Sequence, residues 1–151
     1  MKNLIKFLTM IFIAIALPGV SVAQGTQENE KEAIRNVIVT SYVDGIFNEG
    51  NVKKIKLGWY PACDINIYNV LKDTCTKSKA FRFVTMFEKN PVGLTPGTIS
   101  KIPMVHVTGY AAIAIVEIYH GEKQIYTDYM NLYKFADGWK IVTKTFYAFP
   151  N

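Results

Sequence analysis

The sequence is short of the residue types that mark a specialised chain. Two cysteines in 151 residues are too few for a disulfide-built scaffold. Ten glycines and six prolines exclude a collagen-like or low-complexity chain. Only two histidines are present, and no histidine or further cysteine stands at ligand spacing from Cys63 or Cys75, so no metal site is expected. The phosphate-cradling glycine loop, the Gly-x-Ser-x-Gly elbow and the His-Glu-x-x-His helix are all missing. Basic residues form no stripe: apart from Lys53, Lys54 and Lys56 they are scattered, which gives nucleic acid little to hold. No cofactor is called for.

Hydrophobic residues make up 50% of the chain and aromatics 13%, enough for one well-packed domain of ordinary length. Part of that apolar content is concentrated at the start. Lys2 and Lys6 precede an uncharged run from Phe7 to Leu17, Pro18-Gly19 breaks it, and Ser21-Val22-Ala23 supplies small residues before a cut. Residues 1–23 therefore read as a signal peptide, and the protein as exported, periplasmic or secreted. The run is too short to span a bilayer, which takes about 20 apolar residues. No second long run follows, so the mature protein is not expected to cross a membrane. Cleavage after Ala23 removes two lysines, leaving 15 basic against 12 acidic residues and a net charge of +3.

Residues 24–30 are polar and read as a flexible lead-in to a domain over 31–149. Ile34, Val37, Ile38, Tyr42 and Ile46 then recur at helical spacing. Gly50 is a plausible stop, and Asn51 can cap a short second helix burying Val52, Ile55 and Trp59, ended by Pro61. Residues 63–70 alternate as a strand, with Ile65 and Ile67 opposite Asp64 and Asn66. A third helix is expected over 78–89. Strands follow at about 99–108, 110–119, 124–134 and 139–148, with Asp137-Gly138 a strong hairpin signal. Helices first and a sheet afterwards is the α+β order. Export permits a Cys63–Cys75 disulfide. A hairpin through Asp73-Thr74 keeps the sulfurs apart, whereas a folded-back 71–80 loop brings them together; both remain open.

The last hairpin carries the candidate site. Alternation places Tyr126, Asp128, Met130 and Leu132 on one face. Pairing across Asp137-Gly138 adds Trp139, Ile141, Thr143, Thr145 and Tyr147 to that face and leaves Asn131, Lys140 and Lys144 opposite. Asp128 then points inwards among apolar groups, an expensive position for a carboxylate unless it is hydrogen-bonded.

The run from Gly109 to Ile118, Tyr126-Thr-Asp-Tyr-Met-Asn-Leu-Tyr-Lys134 and Asp137-Gly-Trp-Lys-Ile-Val-Thr-Lys144 resemble the nuclear transport factor 2-like (NTF2-like) superfamily. Within it they are most similar to the putative lumazine-binding branch, also grouped with SnoaL-like domains. The segment Tyr42-Val-Asp-Gly-Ile-Phe-Asn-Glu-Gly-Asn51 resembles that family's first helix and turn. Trp59-Tyr-Pro-Ala62 stands where the family often has Phe-His-Pro, with Tyr60 replacing the histidine. The resemblance implies a cone: N-terminal helices packed on a strongly curved, mainly antiparallel sheet.

Such a cone suits a small ligand, with Asp128, Tyr126, Trp139, Thr145, Tyr147, Trp59 and Asn66 as candidate binding residues. Three functions compete. The first is a small-molecule-binding protein without catalysis. The second is a cofactor-independent isomerase, dehydratase or cyclase with Asp128 as base and His106 or a tyrosine polarising a carbonyl. The third is a homodimeric interaction module, since the Ala111-to-Ile118 strand is apolar on both faces. Glu117 is expected on the outer face opposite Lys140 and Lys144, and His120 in a solvent-facing turn. An inward Glu117 would pair with Asp128 and favour an enzyme.

Overall fold

A computed structural model describes residues 19–150. Of the expected leader, residues 1–18 lie outside the described residues, and 19–23 open the first helix. That helix, α1, runs Gly19–Ile38 and continues without a break as a π-helical segment, Val39–Asn48. The polar stretch 24–30, expected as a flexible lead-in, is helical. It is tied to the sheet: Gln27 Nε2 donates to the Val107 carbonyl, and Glu30 meets both Lys134 and Trp139. The Ile34, Ile38, Tyr42 and Ile46 stripe is buried as the spacing predicts.

Asn51 caps α2, Val52–Gly58, by accepting from the Lys54 backbone N–H. Trp59, expected at the end of this helix, instead opens β1, Trp59–Asn69. Gly58 lets the two helices close up, since a Cβ there would stand 2.3 Å from Ser41 Oγ. A second short strand, β2 (Thr74–Lys79), occupies the start of the expected third helix, so α3 covers only Arg82–Lys89. The meander follows as β3 (Thr98–Thr108), β4 (Ala111–His120), β5 (Lys123–Phe135) and β6 (Gly138–Ala148).

The six strands form one sheet in the order β2-β1-β6-β5-β4-β3, antiparallel except for the parallel β1–β6 pair. Its inner face packs Val105, Val107, Ala112, Ala114, Val116, Ile118, Met130, Leu132 and Ile141 into one core with the helices. The loop before β3 is sewn to the π-helical segment. Leu94 N–H donates to the Ile46 carbonyl, and Thr95 N–H to that of Phe47. The Asn48 amide grips both backbone groups of Thr98. These bonds hold Tyr42, Ile46 and Phe47 against the sheet's open end.

Register settles the cysteines. Cys75 pairs with Tyr68, five residues along β1 from Cys63, or roughly 16 Å at strand rise. Both thiols are free, Cys63 buried and Cys75 exposed.

Candidate functional site

The β5–β6 ladder contains one irregularity that rearranges the expected site. Leu132 pairs with Ile141 but Asn131 pairs with Thr143, so Val142 is an extra residue in β6. A bulge of this kind shifts the side-chain alternation by one. Trp139 and Ile141 keep their predicted inward orientation. Beyond the bulge the faces exchange: Lys144 and Phe146 turn inwards, while Thr145 and Tyr147 turn out and are exposed. The expectation that Lys144 lies on the outer face is corrected accordingly.

Asp128 is inward, as predicted, and fully buried. Its partners are not the strand hydroxyls of β6. Lys144 Nζ lies 2.6 Å from Oδ1 and Tyr42 OH donates to Oδ2 at 2.7 Å. Lys144 also donates to Tyr42 OH at 2.8 Å, closing a triangle of three side chains from three elements. The lysine side chain is 7% exposed. Its ammonium lies 4.4 Å from the Phe146 ring centre and 4.9 Å from that of Tyr42, within cation–π range.

Burial sets the electrostatics. It pushes the Asp128 carboxyl above the ordinary aspartate range, against the pull of the Lys144 charge and the hydrogen bonds from Lys144 and Tyr42. Burial likewise pushes the Lys144 ammonium down, opposed by Asp128. Tyr42 is held well above a free phenol, first by burial and then by the Asp128 charge. Both members of the pair are thus drawn towards the neutral acid–amine form, as expected for charges taken out of water.

A cavity of about 130 Å³ opens beside this triangle, between the π-helical segment, the start of α3, the Leu94 loop and β6. Its wall includes Tyr42, Phe47, Phe83, Tyr126, Phe146 and Lys144, with the exposed Arg82 also on it. Asp128 stands behind Tyr42 and Lys144. The cone is therefore neither wide open onto Asp128 nor filled solid.

Of the other candidate binding residues, only Tyr126 lines the cavity. Trp59 is fully buried behind it, edge-on to Tyr42 at 5.5 Å, with its indole N–H donating to the Ser41 carbonyl. Trp139 is buried away from the cavity and donates to Glu30 at 2.7 Å. Asn66 lies on the outer face with Thr145, 3.4 Å away, and Asp64 pairs there with Lys79. Tyr147 packs edge-on against Phe149. His106 sits on the outer face of β3, on the far side of the sheet from Asp128, so the two cannot share a substrate. Glu117 is outward, as preferred, but its partners are Tyr119 OH at 2.9 Å and, across the ladder, Lys101 rather than Lys140 or Lys144. His120 is exposed. Among the described residues, no group of three potential metal ligands exists, and no helix is long and apolar enough to cross a membrane.

The residues missed by the sequence reading are Lys144, Phe146, Arg82 and Tyr42 in its bonding role. One signal was available: an inward Asp128 demands a cation, and Lys144 is the nearest lysine one alternation out of phase.

The whole arrangement has counterparts. Residues 29–147 match the family model described as putative lumazine-binding. The structure is similar to an NTF2-like protein of unknown function from Shewanella baltica, with a TM-score of 0.65 at 19% identity, covering 82% of this chain and 97% of that one. An NTF-2-like protein from Silicibacter pomeroyi gives 0.63 at 17%, over 81% and 98%. The association domain of CaMKII from C. elegans gives 0.58 at 14%, over 80% and 97%. No curated protein matches the sequence. With its helices packed on an open six-stranded sheet, the chain has the fold of the NTF2-like proteins it resembles and belongs to the putative lumazine-binding family.

Proposed function

We propose that this protein is an exported binder of a small, flat molecule, held in the aromatic cavity with a polar group against Lys144. The observation that carries the reading is the cavity itself: five aromatic rings around one buried amine. Pockets that select ligands pair apolar walls with a few placed polar groups. The volume of about 130 Å³ is near that of a cavity known to hold benzene, roughly 150 Å³. A single ring with a carbonyl or ring nitrogen to accept from Lys144 fits as it stands. A two-ring pteridine such as lumazine, the ligand class named by the family description, requires Arg82 and Phe83 to swing aside.

Thermal shift with uracil-type single rings and with lumazine tests this. Stabilisation should follow mass action, reaching about 2.7 kcal/mol at a hundred times Kd. Leu94→Trp, at the half-exposed cavity mouth, should fold normally and lose the shift. If no ring compound stabilises the wild type, the cavity is a packing gap.

A second reading is favoured by the outer face. There Ile113, Tyr129 and Tyr133 are 43%, 51% and 53% exposed, beside a shallow hollow that includes His106 and Thr143. A homodimer through this face would cover them, given about 800 Å² per partner in a standard interface. Sedimentation of the wild type should give a dimer and of Tyr133→Lys a monomer. A monomeric wild type would dismiss it.

A further inference from the structure

An apolar pocket that merely sheltered a ring would have no use for a buried amine. Lys144 spends two of its three N–H bonds on Asp128 and Tyr42, which leaves one for the cavity that its side chain lines. Arg82 lines the same cavity, and its positive charge adds to burial in weakening the hold of Lys144 on its proton. Desolvation and a neighbouring cation are the two conditions that turn a lysine into a nucleophile. The acid needed to expel water from an addition product is also at hand. Asp128 is buried, bonded to the amine, and joined to the cavity wall by the Tyr42 hydroxyl.

From this geometry we infer that Lys144 condenses with a small carbonyl compound, an aldehyde or 2-oxo acid, to form an imine in the cavity. The inference rests on the cavity being the ligand site. Lys144 first passes a proton to Asp128 along their 2.6 Å hydrogen bond, and the neutral Nζ then adds its lone pair to the carbonyl carbon as the carbonyl π pair moves to oxygen. That oxygen takes a proton from Tyr42, which Asp128 reprotonates. The new N–H⁺ returns a proton to Asp128, giving the carbinolamine. A second proton from Asp128, by the same hydroxyl, lets the C–O bond break with loss of water as the nitrogen lone pair closes the C=N bond. Amine, carbonyl and carboxylic acid become protonated imine, water and carboxylate, with no change of oxidation state. The protonated imine is left beside the Asp128 carboxylate, and a 2-oxo acid would set its own carboxylate towards Arg82.

The test is reductive trapping of the full mature chain with glyoxylate and cyanoborohydride, followed by peptide mapping. Hydride delivered to the imine carbon fixes one carboxymethyl group on the reacting nitrogen. At limiting glyoxylate the adduct is expected on Lys144 ahead of the exposed Lys53, Lys72, Lys77 and Lys123. It should be lost in Lys144→Arg, and should form more slowly in Tyr42→Phe, which keeps the ring and the lysine. Labelling of the exposed lysines with Lys144 unmodified overturns the inference. So does a wild-type rate in Tyr42→Phe, for the proton relay. A ring compound that stabilises the protein while no Lys144 adduct forms overturns the imine and leaves the binding site standing; failure of both removes both.

Discussion

Lys144 and Asp128 each owe their place to the other. Deleting one charge leaves its partner buried and uncompensated, whereas deleting both leaves an apolar gap. Lys144→Met is expected to cost about 3–5 kcal/mol in urea unfolding, and Asp128→Leu a similar amount. The double variant should recover most of the loss, and costs that simply add would show that the pair is not coupled. The cysteines separate by the same physics. Burial, aided by the nearby Asp64 charge, pushes the Cys63 thiol up to about 12, so almost no thiolate exists at neutral pH. Cys75 is exposed. A disulfide-exchange reagent should therefore label one thiol in the folded protein and two in denaturant. Two fast thiols in the folded state would place Cys63 wrongly.

At the scale of elements, Glu30 fastens the middle of α1 to the sheet. Its carboxylate accepts from Lys134 at 2.5 Å and from the Trp139 indole at 2.7 Å, and these bonds hold it below the ordinary glutamate value of 4.5. A carboxyl depressed in the folded state binds fewer protons there than in the unfolded chain. Its contribution is complete above about 4.5 and is lost as pH falls through the lower folded value. The melting temperature should fall with acid in that window, and Glu30→Gln should show a shallower fall. Glu28, Glu49, Asp64 and Asp137 are depressed too, so the difference between the two curves isolates Glu30. Equal slopes would show the contact to be idle. The elements also show what a sequence can disclose. All four strands of the meander were legible to within a residue or two, because apolar alternation and turn residues mark them directly. The inward Asp128 was legible for the same reason. The site around it was not, because Ile141-Val142-Thr143 contains no glycine or other sign of a bulge, and one unmarked residue inverted everything after it. The π-helical segment that brings Tyr42 to Asp128, and the β2 strand that runs into the start of the apparent third helix, depend on tertiary packing that local spacing does not encode.

For the whole molecule, the proposed export carries a structural demand, because a cut after Ala23 falls inside the first helix. The helix runs from Gly19, so a cut after Ala23 would pass through its first turns. Downstream of that cut α1 is fastened by Gln27 on Val107, by Glu30 on Lys134 and Trp139, and by the buried Ile34 and Ile38. A helix held by tertiary contacts along its length does not need its leading turn for stability. Frayed ends contribute little in general. The chain from Gln24 onwards is therefore expected to fold to the same structure, with unfolding free energy within about 0.5 kcal/mol of a longer form starting at Gly19. Urea titration of the two chains checks this, and N-terminal sequencing of protein recovered from expressing cells checks the cut. A loss of several kcal/mol on removing residues 19–23 would mean that those turns pack against the domain, and that cleavage after Ala23 is the wrong site.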